Sequence, residues 1–215
     1  MNEFALTAGE IMMTKLKSFL LILGLLSFSF SAAAETVSKS LPQPDIKGGS
    51  PLMQTLNNRR STKVFSSKAI DNQTLSDILW AAWGINRKDG KRTVPTAMNT
   101  QNMRVYAIME DGAWLYDANK NKLNQVDKED LRPLLAQQPY AENAPLFLLY
   151  TSNGSGEAVT SAMHAGSMYQ NVGLVSASKG LNNVVRGYFD KAGIAKALNI
   201  NEADIIISQV VGWPK

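Results

Sequence analysis

Two apolar segments in the second half of the chain limit the folds that it can adopt. Residues 145–150 read Pro-Leu-Phe-Leu-Leu-Tyr, and residues 203–212 are rich in β-branched residues. Neither segment alternates apolar and polar side chains, and strands of that kind are covered on both faces. Each segment therefore predicts a strand inside a sheet that is surrounded by helices.

The longest helical candidate, residues 161–179, lies between these two strands and ends at Gly180. It contains many small residues, including Gly166 and Gly173. A glycine inside a helix costs about 0.5–1 kcal/mol relative to alanine, so we expect a closely packed partner to compensate. The partner is either the same helix of a second chain or another helix of this one, and the sequence leaves both open.

The remaining pattern mixes helices and strands without strict alternation, which predicts an α+β fold with a mostly antiparallel sheet. A helix follows Ser50-Pro51, and Asp71 or Asn72 caps the next, which Gly84 ends. The other predicted elements are a hairpin of residues 103–109 with 114–116 through Asp111-Gly112, a short helix at 128–137, and a helix from Asp190 to Leu198.

The N-terminal region predicts export. Lys15 and Lys17 precede an apolar run at residues 19–30, and small residues follow up to Ala34. A dozen apolar residues are too few to span a bilayer, which needs about 20, so residues 1–34 are interpreted as a signal peptide. Acidic residues before the basic region indicate that translation starts at Met12 or Met13.

We then expect residues 35–49 to be a polar linker, because they contain proline and glycine and few apolar residues. Residues 50–215 are expected to form one folded domain, exported to the periplasm, with no stable membrane anchor after cleavage.

Composition excludes several kinds of site. The 215 residues are 45% hydrophobic and 19% charged, as in an ordinary globular domain. No cysteine is present, which excludes disulfides and thiolate metal sites, and the single histidine, His164, cannot build a histidine cluster for zinc. The net charge of +4 comes from scattered basic residues, so no nucleic-acid partner is expected. Neither a dinucleotide-binding turn nor a phosphate loop is present.

The segment Asn58-Arg-Arg-Ser-Thr-Lys-Val-Phe65 places three cations and two hydroxyls within five residues. A helix end in water explains such a cluster, because cations complement the negative end of the helix dipole. The alternative interpretation is an anion-binding site, because guanidinium groups bind phosphate through charge-assisted hydrogen bonds. Local sequence alone does not decide between the two.

Five segments in order resemble the nitroreductase family of FMN-dependent oxidoreductases. They are Arg-Arg-Ser-Thr-Lys-Val-Phe at 59–65, a helix at 75–84, Pro-Thr-Ala-Met-Asn-Thr-Gln at 95–101, the segment 180–190, and Val-Gly-Trp-Pro-Lys at 211–215. The chain is most similar to the compact branch that includes the azoline-oxidising dehydrogenases of modified-peptide biosynthesis, through residues 79–84 and 112–116. It departs from the family at Asn102, where a proline is usual.

The resemblance implies a nitroreductase-like homodimer that holds FMN between its subunits. Arg59, Arg60 and Ser61 would bind the phosphate, Lys63 would approach the flavin ring near N1 and O2, and Lys215 would close the site. The other implied cofactor contacts are Asn99, Gln101, Val185, Arg186 and Gly187. Two of these have a structural alternative, since Asn99 could cap a turn and Lys215 could be a disordered chain end.

The implied activity needs no metal and no catalytic protein residue, because flavin N5 carries the hydride. Small acceptors such as nitroaromatics or quinones would react by a ping-pong mechanism, with NAD(P)H as a reductant in vitro. Export favours a physiological donor other than a nicotinamide. The alternatives are a secreted flavin- or ligand-binding protein without turnover, a plain interaction domain, and a dehydrogenase that acts on a modified peptide.

Overall fold

The computed structural model describes residues 37–215, and the predicted signal peptide and start site lie outside the described residues. The described chain forms one seven-stranded antiparallel sheet with five α-helices. The strands are β1 Ser38–Ser40, β2 Met103–Met109, β3 Gly112–Asp117, β4 Lys122–Asp127, β5 Leu146–Ser152, β6 Asn182–Arg186 and β7 Ile205–Gly212. The helices are α1 Leu52–Asn58, α2 Asn72–Trp83, α3 Arg132–Leu135, α4 Ala158–Ser178 and α5 Lys191–Leu198.

The sheet has the order β1-β4-β3-β2-β5-β7-β6. The two strands predicted from apolar runs, β5 and β7, are neighbours near its centre. Leu148 and Tyr150 of β5 belong to the core on one face, whereas Phe147 and Leu149 belong to the core on the other. The prediction of an interior strand at residues 145–150 is therefore confirmed.

Helices cover both faces of the sheet. On one face, α2 and α4 contribute Leu79 and Val172 to the core, and on the other α3 and α5 contribute Leu135 and Ile194. Asp71 caps α2 by accepting a hydrogen bond from the backbone N–H of Thr74 at 2.9 Å. These observations confirm the α+β fold. Within residues 37–215, no helix combines the length and the apolar composition needed to cross a membrane.

Helix α3 is shorter than the sequence pattern predicts. The pattern favours a helix over residues 128–137, but α3 comprises only Arg132–Leu135. Pro133 lies in its first turn, where a missing N–H is tolerated. The proline ring would clash with the carbonyl four residues earlier, so the helix cannot extend back towards residue 128.

Helix α1 keeps its predicted position. Its Leu52, Met53 and Leu56 form an apolar side, and they are 64%, 76% and 44% exposed. Thr55 is the buried residue of this helix. Pro51 occupies the cap position, and the Ser50 hydroxyl contacts the Ser178 carbonyl instead of capping α1. The apolar side of α1 is thus open in the single chain.

The described part of residues 35–49 corrects the prediction of a linker. Strand β1 pairs with β4, and Leu41 is buried in the core beneath α2. The carbonyl of Pro42 accepts hydrogen bonds from Ser76 and Asn121, and the N–H of Asp45 donates to Asp77. Proline-rich composition hides this packing, because a proline carbonyl still accepts hydrogen bonds although the residue donates none.

Candidate functional site

The basic segment at residues 59–65 is extended and hydrogen-bonded to the edge of the sheet. The N–H of Thr62 donates to the carbonyl of Asn183 at 2.9 Å, and the N–H of Asn183 donates to the Thr62 hydroxyl at 3.1 Å. The Asn182 amide donates to the Val64 carbonyl at 2.6 Å. These contacts with β6 fix the backbone that carries the three predicted phosphate-binding residues and Lys63.

Arg59 is half-buried against α4. A Cβ atom added at Gly173 would lie 3.6 Å from Cγ and Cδ of Arg59 and 3.5 Å from Oδ1 of Asn183. The aliphatic stem of the arginine therefore packs where the helix has no side chain. Although α4 also packs against α2 of the same chain, the close neighbours of Gly173 are Arg59 and Asn183, which the sequence did not predict.

Arg60 lines a cavity of about 350 Å³ at the C-terminal end of α4. Asn58, Thr62, Asn182 and Asn183 also line it, so its wall is mostly polar. Ser61, the third residue expected at a phosphate, is exposed.

Lys63 and Arg186 both lie against Tyr140. The Lys63 Nζ is 5.2 Å and the Arg186 Cζ is 5.6 Å from the centre of the tyrosine ring. Arg186 is only 6% exposed and donates from Nη2 to the Tyr188 carbonyl at 2.7 Å. Its Nε and Nη1 have no hydrogen-bond partner among the described residues, and burial lowers the pKa of this guanidinium. Ser208, its cross-strand neighbour, is likewise buried with an unpartnered hydroxyl in the described chain.

The chain end lies beside the basic segment. The N–H of Ser66 donates to the carbonyl of Trp213 at 2.9 Å, which places exposed Lys215 two residues beyond that contact. Val185 is half-buried in β6, and Gly187 is exposed with open space where a Cβ would be. The structure thus brings the segment 59–66, strand β6 and the chain end to one edge of the sheet.

Asn99 and Gln101 lie elsewhere, in a second cavity of about 260 Å³ that shares no lining residue with the cavity at Arg60. Met98, Asn99 and Gln101 have positive φ angles of 53°, 54° and 45°, and Met98 is 97% exposed. Positive φ angles are uncommon for residues other than glycine, although asparagine adopts them more readily than most, and strained residues of this kind cluster at functional sites.

A chain of side chains orients Asn99. Arg92 stacks on Trp83, with its Cζ 4.3 Å from the ring centre, and its Nε donates to Oε1 of Gln101 at 2.8 Å. The Gln101 Nε2 then donates to Oδ1 of Asn99 at 3.2 Å. Since arginine only donates, Gln101 accepts through Oε1 and donates through Nε2. Asn99, which lines the second cavity, therefore accepts through Oδ1 and keeps its NH₂ group as a donor. The sequence analysis named Asn99 and Gln101 as cofactor contacts but missed Arg92, which holds Gln101.

His164 holds the other side of this loop. Its Nε2 accepts from the N–H of Ala97 at 2.7 Å, so Nδ1 carries the proton and donates to Oδ1 of Asn102 at 3.0 Å. Asn102 in turn donates to Ser161 at 2.9 Å. Burial lowers the pKa of His164, which favours this neutral form. Asn102 is the sequence signal that could have revealed its pairing with His164, because it stands where the nitroreductase family usually has a proline.

Within residues 37–215, the cations at the sheet edge have no partners of opposite charge. Among the described residues, ion pairs within 4 Å join Lys39, Lys91, Arg132 and Lys179 to carboxylates. None of the five cations predicted at the cofactor site takes part in one. Those five are Arg59, Arg60, Lys63, Arg186 and Lys215.

A family model described as the nitroreductase family matches residues 56–213. The chain belongs to the nitroreductase family. Its resemblance to that family and its nitroreductase-like fold, both predicted from the sequence, are confirmed.

Individual nitroreductase-family proteins are similar over most of their length. A solved candidate nitroreductase of Ralstonia eutropha JMP134 is 34% identical, with a TM-score of 0.77, and the match covers 83% of this chain and 90% of that one. A candidate nitroreductase of Methanocaldococcus jannaschii is 28% identical over 177 residues, 74% of this chain and 89% of the relative.

Two further solved structures share the fold at lower identity. A Desulfovibrio desulfuricans candidate nitroreductase, solved in complex with FMN, is 21% identical with a TM-score of 0.57, covering 78% of this chain and 88% of that one. The E. coli microcin synthetase McbBCD complex is 16% identical with a TM-score of 0.62, covering all of both chains.

Proposed function

We propose that this nitroreductase-family protein is an FMN-dependent oxidoreductase that transfers hydride or electrons to nitroaromatic, quinone or related small acceptors by a ping-pong mechanism. The observation that carries the proposal is the group of cations without counter-charges at the edge of the sheet. Family membership and the FMN complex of the Desulfovibrio structure support the choice of cofactor.

The donor set at this edge fits a phosphate-bearing ligand. Like charges held together repel one another, and a buried guanidinium without a partner costs free energy. Among the described residues, Arg59 and Arg60 have no carboxylate within 4 Å. A dianion would offset this cost, because its oxygens accept charge-assisted hydrogen bonds.

Each predicted site residue has a distinct role in this proposal. Arg59, Arg60 and Ser61 bind the phosphate, and Lys63 places positive charge near the pyrimidine edge of the flavin. Asn99 donates its NH₂ group to an acceptor on that edge. Val185, Arg186 and Gly187 lie along the ring, and Lys215 closes the site. When bound, FMN supplies the hydride chemistry at N5, so no catalytic protein residue is needed.

A homodimer would complete the site. In one chain the cavity of Asn99 and the cavity of Arg60 share no residue, whereas a second copy could place one beside the other. Exposed Leu52 and Met53 of α1 and exposed Val159 and Met163 of α4 provide an apolar surface for that copy. Met168 of α4 is fully buried in the core and does not belong to that surface.

The proposal includes export to the periplasm, on the basis of the signal-peptide pattern in residues 1–34. Nicotinamides are scarce outside the cytoplasm, so the physiological donor is then another reductant, although NAD(P)H reduces the protein in vitro. Cell fractionation tests this part, and recovery of the protein in the cytosol together with fast reduction by NADH and NADPH would contradict it.

Absorption spectroscopy tests the central proposal. The purified protein should bind added FMN and show the visible flavin band. Anaerobic addition of NADPH or dithionite should bleach this band, and a subsequent addition of an acceptor should restore it. Failure to bind FMN would refute the cofactor and favour an interaction domain. If the protein binds FMN but nitroaromatics or quinones do not restore the flavin band, a flavin-binding protein without turnover would be favoured.

A further inference from the structure

A buried hydrogen-bond chain leads from the middle of the sheet to the cavity of Arg60. The Tyr150 hydroxyl lies 2.7 Å from Oε1 of Gln209, and Nε2 of Gln209 lies 3.1 Å from Oδ1 of Asn183. Tyr150 and Gln209 are fully buried and Asn183 is 5% exposed. Polar groups this deep are costly unless each has a partner, so the chain is expected to hold one arrangement.

The backbone carbonyl of Tyr169 sets the direction of the whole chain. Nε2 of Gln209 also donates to that carbonyl at 3.2 Å, and a carbonyl can only accept. Gln209 must therefore accept from Tyr150 through Oε1 and donate to Asn183 through Nε2. Oδ1 of Asn183 is therefore an acceptor. The remaining polar group of the Asn183 side chain is the Nδ2 donor.

Nothing else in the described chain uses that donor. The backbone N–H of Asn183 donates to Thr62 and its carbonyl accepts from Thr62. Nδ2 of Asn183 has no hydrogen-bond partner among the described residues. The fold thus holds an amide donor in a fixed orientation at the end of the buried chain.

This side chain lies beside the basic segment. Asn183 lines the cavity together with Arg60. Its Oδ1 and the aliphatic stem of Arg59 also lie 3.5 Å and 3.6 Å from the same Cβ position at Gly173. An anion in this cavity would therefore meet the Arg60 side chain and one fixed neutral donor, with the stem of Arg59 packed behind Asn183.

We infer that Asn183 binds the phosphate of FMN through Nδ2, with Gln209, Tyr150 and the Tyr169 carbonyl holding it in the donating orientation. This inference rests on the proposed function. A free asparagine can turn either its NH₂ group or its carbonyl oxygen towards a ligand, and the oxygen would repel a phosphate. The buried chain removes the unfavourable orientation before the ligand binds, which lowers the entropic cost of binding.

Asn182 provides a matched control. It lines the same cavity, but its Nδ2 already donates to the Val64 carbonyl. Asn182→Asp and Asn183→Asp add the same charge to neighbouring positions, while only Asn183→Asp replaces the free donor by an acceptor.

The experiment compares FMN with riboflavin, which has the same ring and ribityl chain but no phosphate. Fluorescence titration should show that Asn183→Asp weakens FMN binding about tenfold to a hundredfold and leaves riboflavin binding unchanged. Asn182→Asp also adds a charge at the cavity and loses the contact with the Val64 carbonyl, so it should weaken FMN binding, but by a smaller factor than Asn183→Asp. Asn183→Ala, which removes the donor without adding charge, should weaken FMN binding by about tenfold and serves if Asn183→Asp does not fold.

The outcomes separate the two proposals. If the unmodified protein binds no FMN, both the proposed function and the inference are refuted. If it binds FMN but the Asn183 variants keep the same preference for FMN over riboflavin, only the inference is refuted. Equal losses in Asn182→Asp and Asn183→Asp would also refute it, because they would show a general effect of charge.

Discussion

The sheet edge at Arg59–Lys63 and the loop at Pro95–Asn102 are both expected to contact the cofactor, but they are held in place differently. Backbone hydrogen bonds to β6 and a backbone contact with the chain end fix the sheet edge. Side chains fix the loop, since His164 binds Ala97 and Arg92 holds Gln101. Removing a ligand-binding side chain should therefore spare the fold at the edge, whereas removing a supporting side chain should disturb the loop.

The largest effect is expected at the sheet edge. The double change Arg59→Ala with Lys63→Ala should weaken FMN binding by about 3 kcal/mol, or about a hundredfold, because two charge-assisted contacts are lost. The melting temperature without ligand should change little, since the backbone contacts with β6 remain. FMN titration and thermal unfolding measure the two quantities.

Lys68→Ala is the control for this double change, because Lys68 is a nearby cation that stacks on Trp213. It should leave FMN affinity within about threefold. An unchanged FMN affinity in the double variant would show that Arg59 and Lys63 do not bind the cofactor, as expected for a helix end in water.

A smaller effect is expected in the loop when the pH falls. His164 has a pKa below its ordinary value of 6.5 in the folded chain, so the unfolded chain binds the proton more readily. Its stabilising contribution is present above about pH 6.5 and is lost as the pH falls below that value. Below its folded-state pKa, protonated Nε2 can no longer accept from Ala97.

Urea unfolding between pH 5 and pH 7.5 measures this dependence, with His164→Gln as a variant that does not titrate. The free energy of unfolding should fall more steeply below pH 6.5 in the unmodified protein than in the variant. Parallel curves would show that His164 does not contribute to acid sensitivity.

The smallest effect concerns the orientation of Asn99. Gln101→Glu still accepts from Arg92 but cannot donate to Asn99, so the Asn99 amide becomes free to turn. FMN affinity should fall by about 1 kcal/mol, or about fivefold, with little change in unfolding free energy. Gln137→Glu, an exposed change of equal charge, should have no effect on affinity. A matching loss in that control would attribute the result to net charge.

Short-range patterns in the sequence predicted much of the fold. The apolar run at residues 145–150 identified β5, and the Asp111-Gly112 turn identified the β2–β3 hairpin, whose register pairs Met109 with Gly112. The pattern was wrong at residues 38–45, because one buried leucine and a series of accepting carbonyls leave little trace in composition. It overextended α3, where Pro133 limits the helix.

The candidate site was predicted unevenly for a related reason. The cations of residues 59–63 stand together in the sequence, so a motif could identify them. Asn183 and Arg92 have no such signal, because each acts through a partner distant in sequence: Gln209 follows Asn183 by 26 residues, and Trp83 precedes Arg92 by 9.

The sequence by itself determined most of the strands and helices and that cations gather near residue 60, because periodicity, caps and charge are local properties. The tertiary structure alone decided that β6, α4 and the chain end meet at those cations, and which way the amides of Asn99 and Asn183 face. Those orientations depend on hydrogen-bond partners that only the folded chain brings within 3.5 Å.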